Sequence, residues 1–376
     1  MGRLIRSISN AHRHPVKRAT YRGGKENSSA NDGRLRGCKP LAAALCFRYI
    51  VFLSRHAIHE ASMAFALTFP GQGSQFVGMG QALAEHSPAA KAVFDRVDAA
   101  LGEKLSDLMW NGPAETLTLT ANTQPALMAC GMAAMAALEE AQGITVDQAK
   151  FVAGHSLGEY TALCASGAIS LEDTARLLRI RGNAMQSAVP AGKGAMAALL
   201  GASFEQAEAV VASGLEFGDC QIANDNAPGQ IVISGEKRAV EAAAESAKGH
   251  GVKKAVLLPV SAPFHCSLMQ PAADAMADAL EDIDVNVPTV PVVNNVQARP
   301  VTDPVQLRTD LVTQVTGRVR WRESMQFMFD DGVDLFAEPG CGKVLSVMMR
   351  RALKEAKGLP LDTPEALAEF AELVKG

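Results

Sequence analysis

The stretch Gly154-His155-Ser156-Leu157-Gly158-Glu159-Tyr160 constrains this chain more than any other. A short apolar run, Phe151-Val152-Ala153, precedes it and a long Ala/Leu-rich segment follows, so the pattern predicts a strand, a sharp turn at the serine and a helix. Glycines two before and two after Ser156 let strand and helix approach closely while the hydroxyl projects from the turn. That geometry is a nucleophile elbow. The bare pattern also occurs in ordinary glycine-rich turns, so its surroundings must decide between the two.

Charge divides the chain. Residues 1–62 hold 12 Lys and Arg against 3 Asp and Glu, a net of +9, whereas residues 63–376 carry −13. The first segment lacks sustained periodicity up to Pro40, and its apolar run at 41–53 is interrupted by Arg48 and falls short of the ~20 residues a membrane span needs. No transmembrane helix is expected. A signal peptide sets its basic region against its apolar one, unlike this 40-residue lead. An Arg-rich, acid-poor transit peptide stays open beside an upstream-start artefact or a disordered tail. We read 1–62 as a basic extension outside the functional chain, which opens at Met63. A nucleic-acid arm would want aromatic interleaving or a binding motif, and the segment has neither.

Seven cysteines, odd in number and without a C-x-x-C pair, fit a reducing, cytoplasmic setting and no metal site. The length of 376 residues, 48% hydrophobic, suits about two domains.

From Met63 the order is regular. Residues 64–69 read as a buried strand running into Pro70-Gly71-Gln72-Gly73-Ser74-Gln75, a loop that presents backbone N–H groups but matches no phosphate-binding pattern. Thr123-Gln124-Pro125 opens a helix over 126–142, buried on several sides, and the elbow helix and a second helix over 171–188 follow. Between 194 and 260 the rhythm changes to strand, helix, strand, strand, helix, strand, which is a ferredoxin-like unit. Its middle strands are placed at 220–223 and 230–234. The polar loop at 224–229 between them is either a cleft rim or a plain hairpin connection. Strands at 289–293 and 333–336 and helices at 305–315, 321–330 and 344–354 complete the chain. The fold class is therefore α/β: a hydrolase-like, mostly parallel sheet core over 63–190 and 261–376, with an inserted ferredoxin-like (βαββαβ) small domain over 191–260.

A serine hydroxyl needs a base within hydrogen-bond reach, and histidine suits because it titrates near neutrality. Of His86, His155, His250 and His265, the first and third sit in polar helix-end or loop contexts, and His155 would point to the other side of the turn. His265 stands directly behind an apolar strand, in Ala262-Pro263-Phe264-His265-Cys266, and is the best base.

These stretches, with Leu178-Arg179-Ile180-Arg181-Gly182, resemble in order the malonyl-CoA:acyl carrier protein transacylases of fatty-acid synthesis, over essentially Met63 to the C-terminus. The resemblance implies an acyltransferase in which Ser156 attacks the thioester of malonyl-CoA. His265 would take its proton and later activate the phosphopantetheine thiol of acyl carrier protein, in ping-pong order. It implies an oxyanion hole from the backbone N–H groups of Gln72 and Leu157, a grip on the malonyl carboxylate by Arg181, and an acyl pocket walled by Gln124, Met185 and Phe264. No acidic third member stands out. The resemblance supplies instead the backbone carbonyl of Gln314 as the group that orients the histidine. Phe264 before the histidine suits malonyl and leaves less room for an α-methyl group.

No cofactor or metal is implied, and the partners are malonyl-CoA and acyl carrier protein, with a monomeric enzyme, no nucleic acid and no membrane. Lys193, Arg318, Arg320 and Arg322 are candidates for a basic patch facing an acidic carrier. An esterase of the α/β-hydrolase kind would share the Ser-His pair, yet would want the order Ser, Asp/Glu, His and has no use for an arginine suited to an acid. A non-catalytic docking domain would have no need of intact Ser156 and His265.

Overall fold

The structure, a computed structural model, describes residues 63–376, so every reading made for the basic segment 1–62 lies outside the described residues. Strand β1 (Phe65–Phe69) is buried at all five positions because it is central in its sheet and a core packs on each face. Its side chains alternate between two cores: Phe65, Leu67 and Phe69 face one, and Ala66 faces the other with Phe151 and Phe336. The remaining strands are β2 (Phe151–Gly154), β3 (Gly194–Leu200), β4 (Cys220–Ala227), β5 (Gln230–Glu236), β6 (Lys254–Leu257), β7 (Val292–Val293), β8 (Pro300–Val301), β9 (Leu335–Pro339) and β10 (Lys357–Leu361).

Six strands form one sheet in the order β10-β9-β1-β2-β7-β8, parallel throughout except that β8 runs against β7. β1 therefore sits between β9 and β2, and the chain leaves the carboxyl ends of all three side by side. Open parallel sheets hold their ligands outside those ends. The other four strands form an antiparallel sheet, β4-β5-β3-β6, with helices between β3 and β4 and between β5 and β6. Its core, around Leu199, Val210, Ile233 and Val240, is separate from that of the parallel sheet.

Four helices carry the site: α1 (Thr120–Gln142), α2 (Leu157–Ala165), α3 (Leu171–Ser187) and α4 (Pro304–Thr316). α1 begins at Thr120, six residues before the expected start, with Pro125 inside it. Proline has no N–H to give the carbonyl four residues back. That carbonyl, of Ala121, instead accepts from Nη1 of Arg179 on α3 at 2.8 Å. α1 and α3 cross so closely that a Cβ on Gly182 would lie 2.5 Å from Cα of Ala121.

Two other expectations need correction. β4 runs on through Asn224, Asp225 and Asn226 to Ala227, where a loop was expected, because its edge is bonded to the core: Asp225 N–H donates to Val319 at 2.9 Å and Val319 N–H to Ala223 at 2.8 Å. The register against β5 is irregular there, as a bulged strand's is. β6 stops at Leu257, so His265 follows a non-regular stretch over 258–264 and not a strand end.

Candidate active site

The elbow forms where β2 gives way to α2. A Cβ on Gly154 would lie 1.9 Å from the Gly158 backbone, and one on Gly158 would lie 2.2 Å from the carbonyl oxygen of Phe69, so both glycines are required by close approach. Ser156 between them adopts φ 54°, ψ −112°, outside the regions an L-residue ordinarily occupies. Such a conformation persists only where its surroundings over-determine it. Here Asn295 clasps the turn, its Oδ1 accepting from Ser156 N–H at 2.7 Å and its Nδ2 donating to the Gly154 carbonyl at 2.7 Å.

His265, also at positive φ (58°), brings Nε2 to 2.7 Å from Ser156 Oγ. Its Nδ1 lies 2.9 Å from the carbonyl oxygen of Gln314 and 3.2 Å from that of Gly317. Carbonyl oxygens only accept, so Nδ1 carries the hydrogen and Nε2 is left as the acceptor for the serine proton. Burial, and after it the Arg181 cation, pushes the imidazole pKa down to about 3, which keeps the ring neutral.

Arg181 is buried on α3. Nη1 donates to Oε1 of Gln124 at 2.8 Å, and Nη2 donates to Oε1 of Gln314 at 2.9 Å and to Ser156 Oγ at 3.2 Å. The guanidinium lies 5.4 Å from the Tyr160 ring centroid. All three hydrogen-bond partners are uncharged. The Glu159 carboxylate faces the cation without bonding to it, so the guanidinium has no anion in direct contact, an arrangement that can accept one from a ligand.

A cavity of about 200 Å³ opens over these groups, and Gln72, Gln124, Ser156, Leu157, Arg181, Met185, Phe264 and His265 all line it. Leu157 is the first residue of α2, where backbone N–H groups have no intrahelical acceptor. Gln72 is tied by its side chain to Thr120, whose hydroxyl donates at 2.9 Å. Gln314 lies behind the cavity and touches both Arg181 and the His265 ring. The structure thus brings together the residues that the sequence pointed to for the catalytic pair, the oxyanion donors, the acyl pocket and the histidine's partner. Neutral His265, hydrogen-bonded Ser156 and a buried cation are a constellation for nucleophilic attack on a carbonyl carbon bearing an anionic group nearby.

His155 does face away from the nucleophile: its Nε2 is 2.8 Å from Oδ1 of Asn226, and burial lowers its pKa. Asn224 and Asn226 on β4 line the cavity, so the polar stretch weighed as a cleft rim does reach it, from a strand. Sequence reasoning missed Asn295 and the side chain of Glu159. The available signal was an Asn-Asn pair directly after the apolar Val292-Val293 at another carboxyl strand end.

The arginines of the expected basic patch already have partners within the chain. Arg322 forks onto Asp225, Arg320 is bonded to Glu323 and to the carbonyls of Val296 and Gln297, and Arg318 lies over the Phe204 ring and 3.5 Å from Glu323. Carboxylates of this same chain already meet these charges. Lys193 is exposed on the turn before β3. Among the described residues no helix is long and apolar enough to cross a membrane.

Comparison with known proteins gives a consistent result. The profile of the acyl transferase domain family matches residues 67–365. A malonyl CoA-acyl carrier protein transacylase of Bacillus subtilis is 46% identical over 311 residues, 82% of this chain and 97% of the relative. The protein of that name from Escherichia coli K12 is 43% identical over 317 residues, 82% of this chain and 99% of the relative. Among solved structures, an acyl-carrier-protein-S-malonyltransferase from Bartonella henselae superposes with a TM-score of 0.82 at 54% identity, covering 84% of this chain and all of that one. A malonyl-transacylase solved in complex with a type II polyketide acyl-carrier protein has a TM-score of 0.79 at 39% identity, over 82% of this chain and 99% of its own.

Proposed function

The chain belongs to the acyl transferase family and is an acyltransferase of the malonyl-CoA:acyl carrier protein transacylase kind, and on that premise we propose that the malonyl group passes through an ester on Ser156. In the first half-reaction Ser156 Oγ attacks the thioester carbonyl carbon while its proton moves to His265 Nε2. The carbonyl oxygen becomes an oxyanion, received by the N–H groups of Gln72 and Leu157. Collapse breaks the carbon–sulfur bond, and the leaving CoA thiolate takes the proton from the imidazolium. In the second half the phosphopantetheine thiol gives its proton to His265 and attacks the ester carbon. Collapse then returns Oγ, reprotonated by His265.

Each role has a physical support. Removing one oxyanion donor typically costs about 3 kcal/mol in the barrier, so two preorganised N–H groups matter as much as the base. Arg181 receives the malonyl carboxylate, which supplies a directly bonded anion that its uncharged hydrogen-bond partners do not, and Gln124, Met185 and Phe264 wall the acyl group. An arriving carboxylate also offsets the cation beside His265 and so raises the basicity of the ring when substrate is bound. The Gln314 carbonyl fixes the tautomer in place of an acidic third member.

We further read residues 191–260 as an inserted ferredoxin-like lobe on the core of 63–190 and 261–376, whose β4 asparagines form one wall of the cleft. The working unit is taken as a cytoplasmic monomer, since one chain supplies every group named. The observation that carries the reading is the contact of Ser156 Oγ with both a neutral imidazole and a buried guanidinium. The test is intact-protein mass after incubation with malonyl-CoA. An adduct should form, localise to Ser156 and disappear on adding phosphopantetheinylated carrier protein. No adduct, or one elsewhere in the chain, overturns it.

A further inference from the structure

Glu159 is the third residue of α2, and the spacing Ser156-x-x-Glu159 is that of a capping box, in which serine and glutamate each satisfy a helix-end N–H. The structure does not build that box. Ser156 makes no side-chain cap, and its N–H goes to Asn295. Glu159 Oε2 accepts instead from the backbone N–H of Asn295 at 2.8 Å and from Nε2 of Gln314 at 3.0 Å. The carboxylate is buried beneath the cavity, where an anion is costly, so helix capping does not explain its presence.

Both of its partners reach the reacting groups. Asn295 clasps the turn on each side of Ser156. Gln314 donates to the Ser156 carbonyl at 3.0 Å, accepts from Arg181 on its side chain and holds His265 Nδ1 on its backbone carbonyl. Glu159 thus stands one residue removed from three groups, two of them held at positive φ.

We propose that Glu159 is a positioning residue for the transfer reaction: its buried carboxylate fixes Asn295 and Gln314, and through them the Ser156 turn, the His265 ring and the Arg181 guanidinium. The proposal rests on the reading of Ser156 and His265 as the reacting pair. The charged and titratable groups that face the carboxylate are Arg181 from α3, Asp310 from α4 and the neighbouring Tyr160. Burial, chiefly, raises the carboxyl pKa to about 7. An inflection near neutrality that is present in the wild type and absent from Glu159→Gln reports Glu159.

The test uses the full chain and a fluorophosphonate, a serine-directed electrophile that carries no carboxylate and so needs no help from Arg181. Wild-type labelling should rise between about pH 6 and 8 as Glu159 ionises. Glu159→Gln, of the same size, should keep the wild-type circular dichroism spectrum and a cooperative unfolding transition. It should label about tenfold more slowly or worse, without that inflection, as misplacement by a fraction of an ångström requires. Glu159→Asp should recover part of the rate at high pH. Glu159→Gln labelling at the wild-type rate overturns the proposal. Should that variant not fold, Glu159→Asp labelling at the full wild-type rate, although its carboxylate is one methylene short of Asn295 and Gln314, overturns it as well. Undiminished labelling of Ser156→Ala would instead sink the underlying reading, and the two failures are told apart by that control.

Discussion

Nη2 of Arg181 donates to Oγ of Ser156 at 3.2 Å, so a buried cation touches the same oxygen that His265 Nε2 approaches to 2.7 Å. Two consequences follow from one contact. The guanidinium depresses the basicity of the nearby imidazole, and under the proposed function it selects a substrate whose second functional group is an anion.

Arg181→Ala is expected to penalise malonyl-CoA far more than acetyl-CoA, because only the charged acyl group loses a partner. A hydrogen bond to a charged group is worth roughly 1.5 to 3 kcal/mol, so the malonyl-to-acetyl ratio of kcat/KM should fall about ten- to hundredfold. Arg181→Lys should recover little, since a point charge does not reproduce a planar fork. Steady-state kinetics with both donors measure the ratio. An unchanged ratio would leave Arg181 with a packing role only.

Stability should depend on pH through two buried groups of opposite sign. Glu159 has its pKa raised from the usual 4.5 to about 7, so its contribution is fully present below 4.5 and is lost as pH rises through 7. The loss is on the order of 3 kcal/mol. His265 is depressed from 6.5 to about 3, so its contribution is present above 6.5 and is lost as pH falls toward 3. Relative to wild type, Glu159→Gln should therefore be more stable at about pH 8 than at about pH 5. His265→Gln should lose less than wild type between about pH 6.5 and 4. Urea unfolding across that range checks both, and curves that stay parallel to wild type would show that neither group is held as described.

Gly182→Ala should act on the site from a distance. Its Cβ would come within 2.5 Å of Ala121 Cα and 2.7 Å of the Thr120 carbonyl oxygen, so α3 must move away from α1. Overpacking of this kind costs typically 1 to 3 kcal/mol, about the range expected here. The shift also separates Arg181 from Gln124, which sit on the two helices. A rise in KM for malonyl-CoA should thus accompany the lower urea midpoint. Loss of stability with KM unchanged would mean that the helix contact does not set the position of the guanidinium.

What the sequence made legible is what periodicity and fixed spacing can carry. The elbow, the helices around it and the βαββαβ order of elements follow from local pattern, as does Ser156, whose flanking glycines are required by contacts only a few residues away. Tertiary bonds override pattern elsewhere. Pro125 looks like a helix start because the arginine that serves the Ala121 carbonyl is 58 residues away. Asn224 to Asn226 look like a turn because the segment at Val319 that makes them a strand is remote. β10 contains Gly358 and Pro360 and carries no strand signal, yet an edge strand tolerates both. The same limit hid Asn295 and Glu159, which matter through bonds that span 139 and 155 residues.

Ser156 and His265 should fail as one unit. Nε2 of the histidine lies 2.7 Å from the serine oxygen; in the proposed mechanism it accepts the serine proton and later that of the incoming thiol, so without either partner both half-reactions lose the same proton transfer. Groups that share one step are strongly non-additive: removing one costs nearly as much as removing both, and the residual rate comes from binding and the oxyanion donors. Ser156→Ala should abolish the malonyl adduct, His265→Ala should slow its formation by several orders of magnitude, and the double variant should be no slower in transfer than Ser156→Ala. Rapid-quench measurement of adduct formation and of carrier loading separates the two halves. Losses that multiply in the double variant, or a normal adduct rate in His265→Ala, would place the base elsewhere, and His155, which lines the same cavity, would be the next to test.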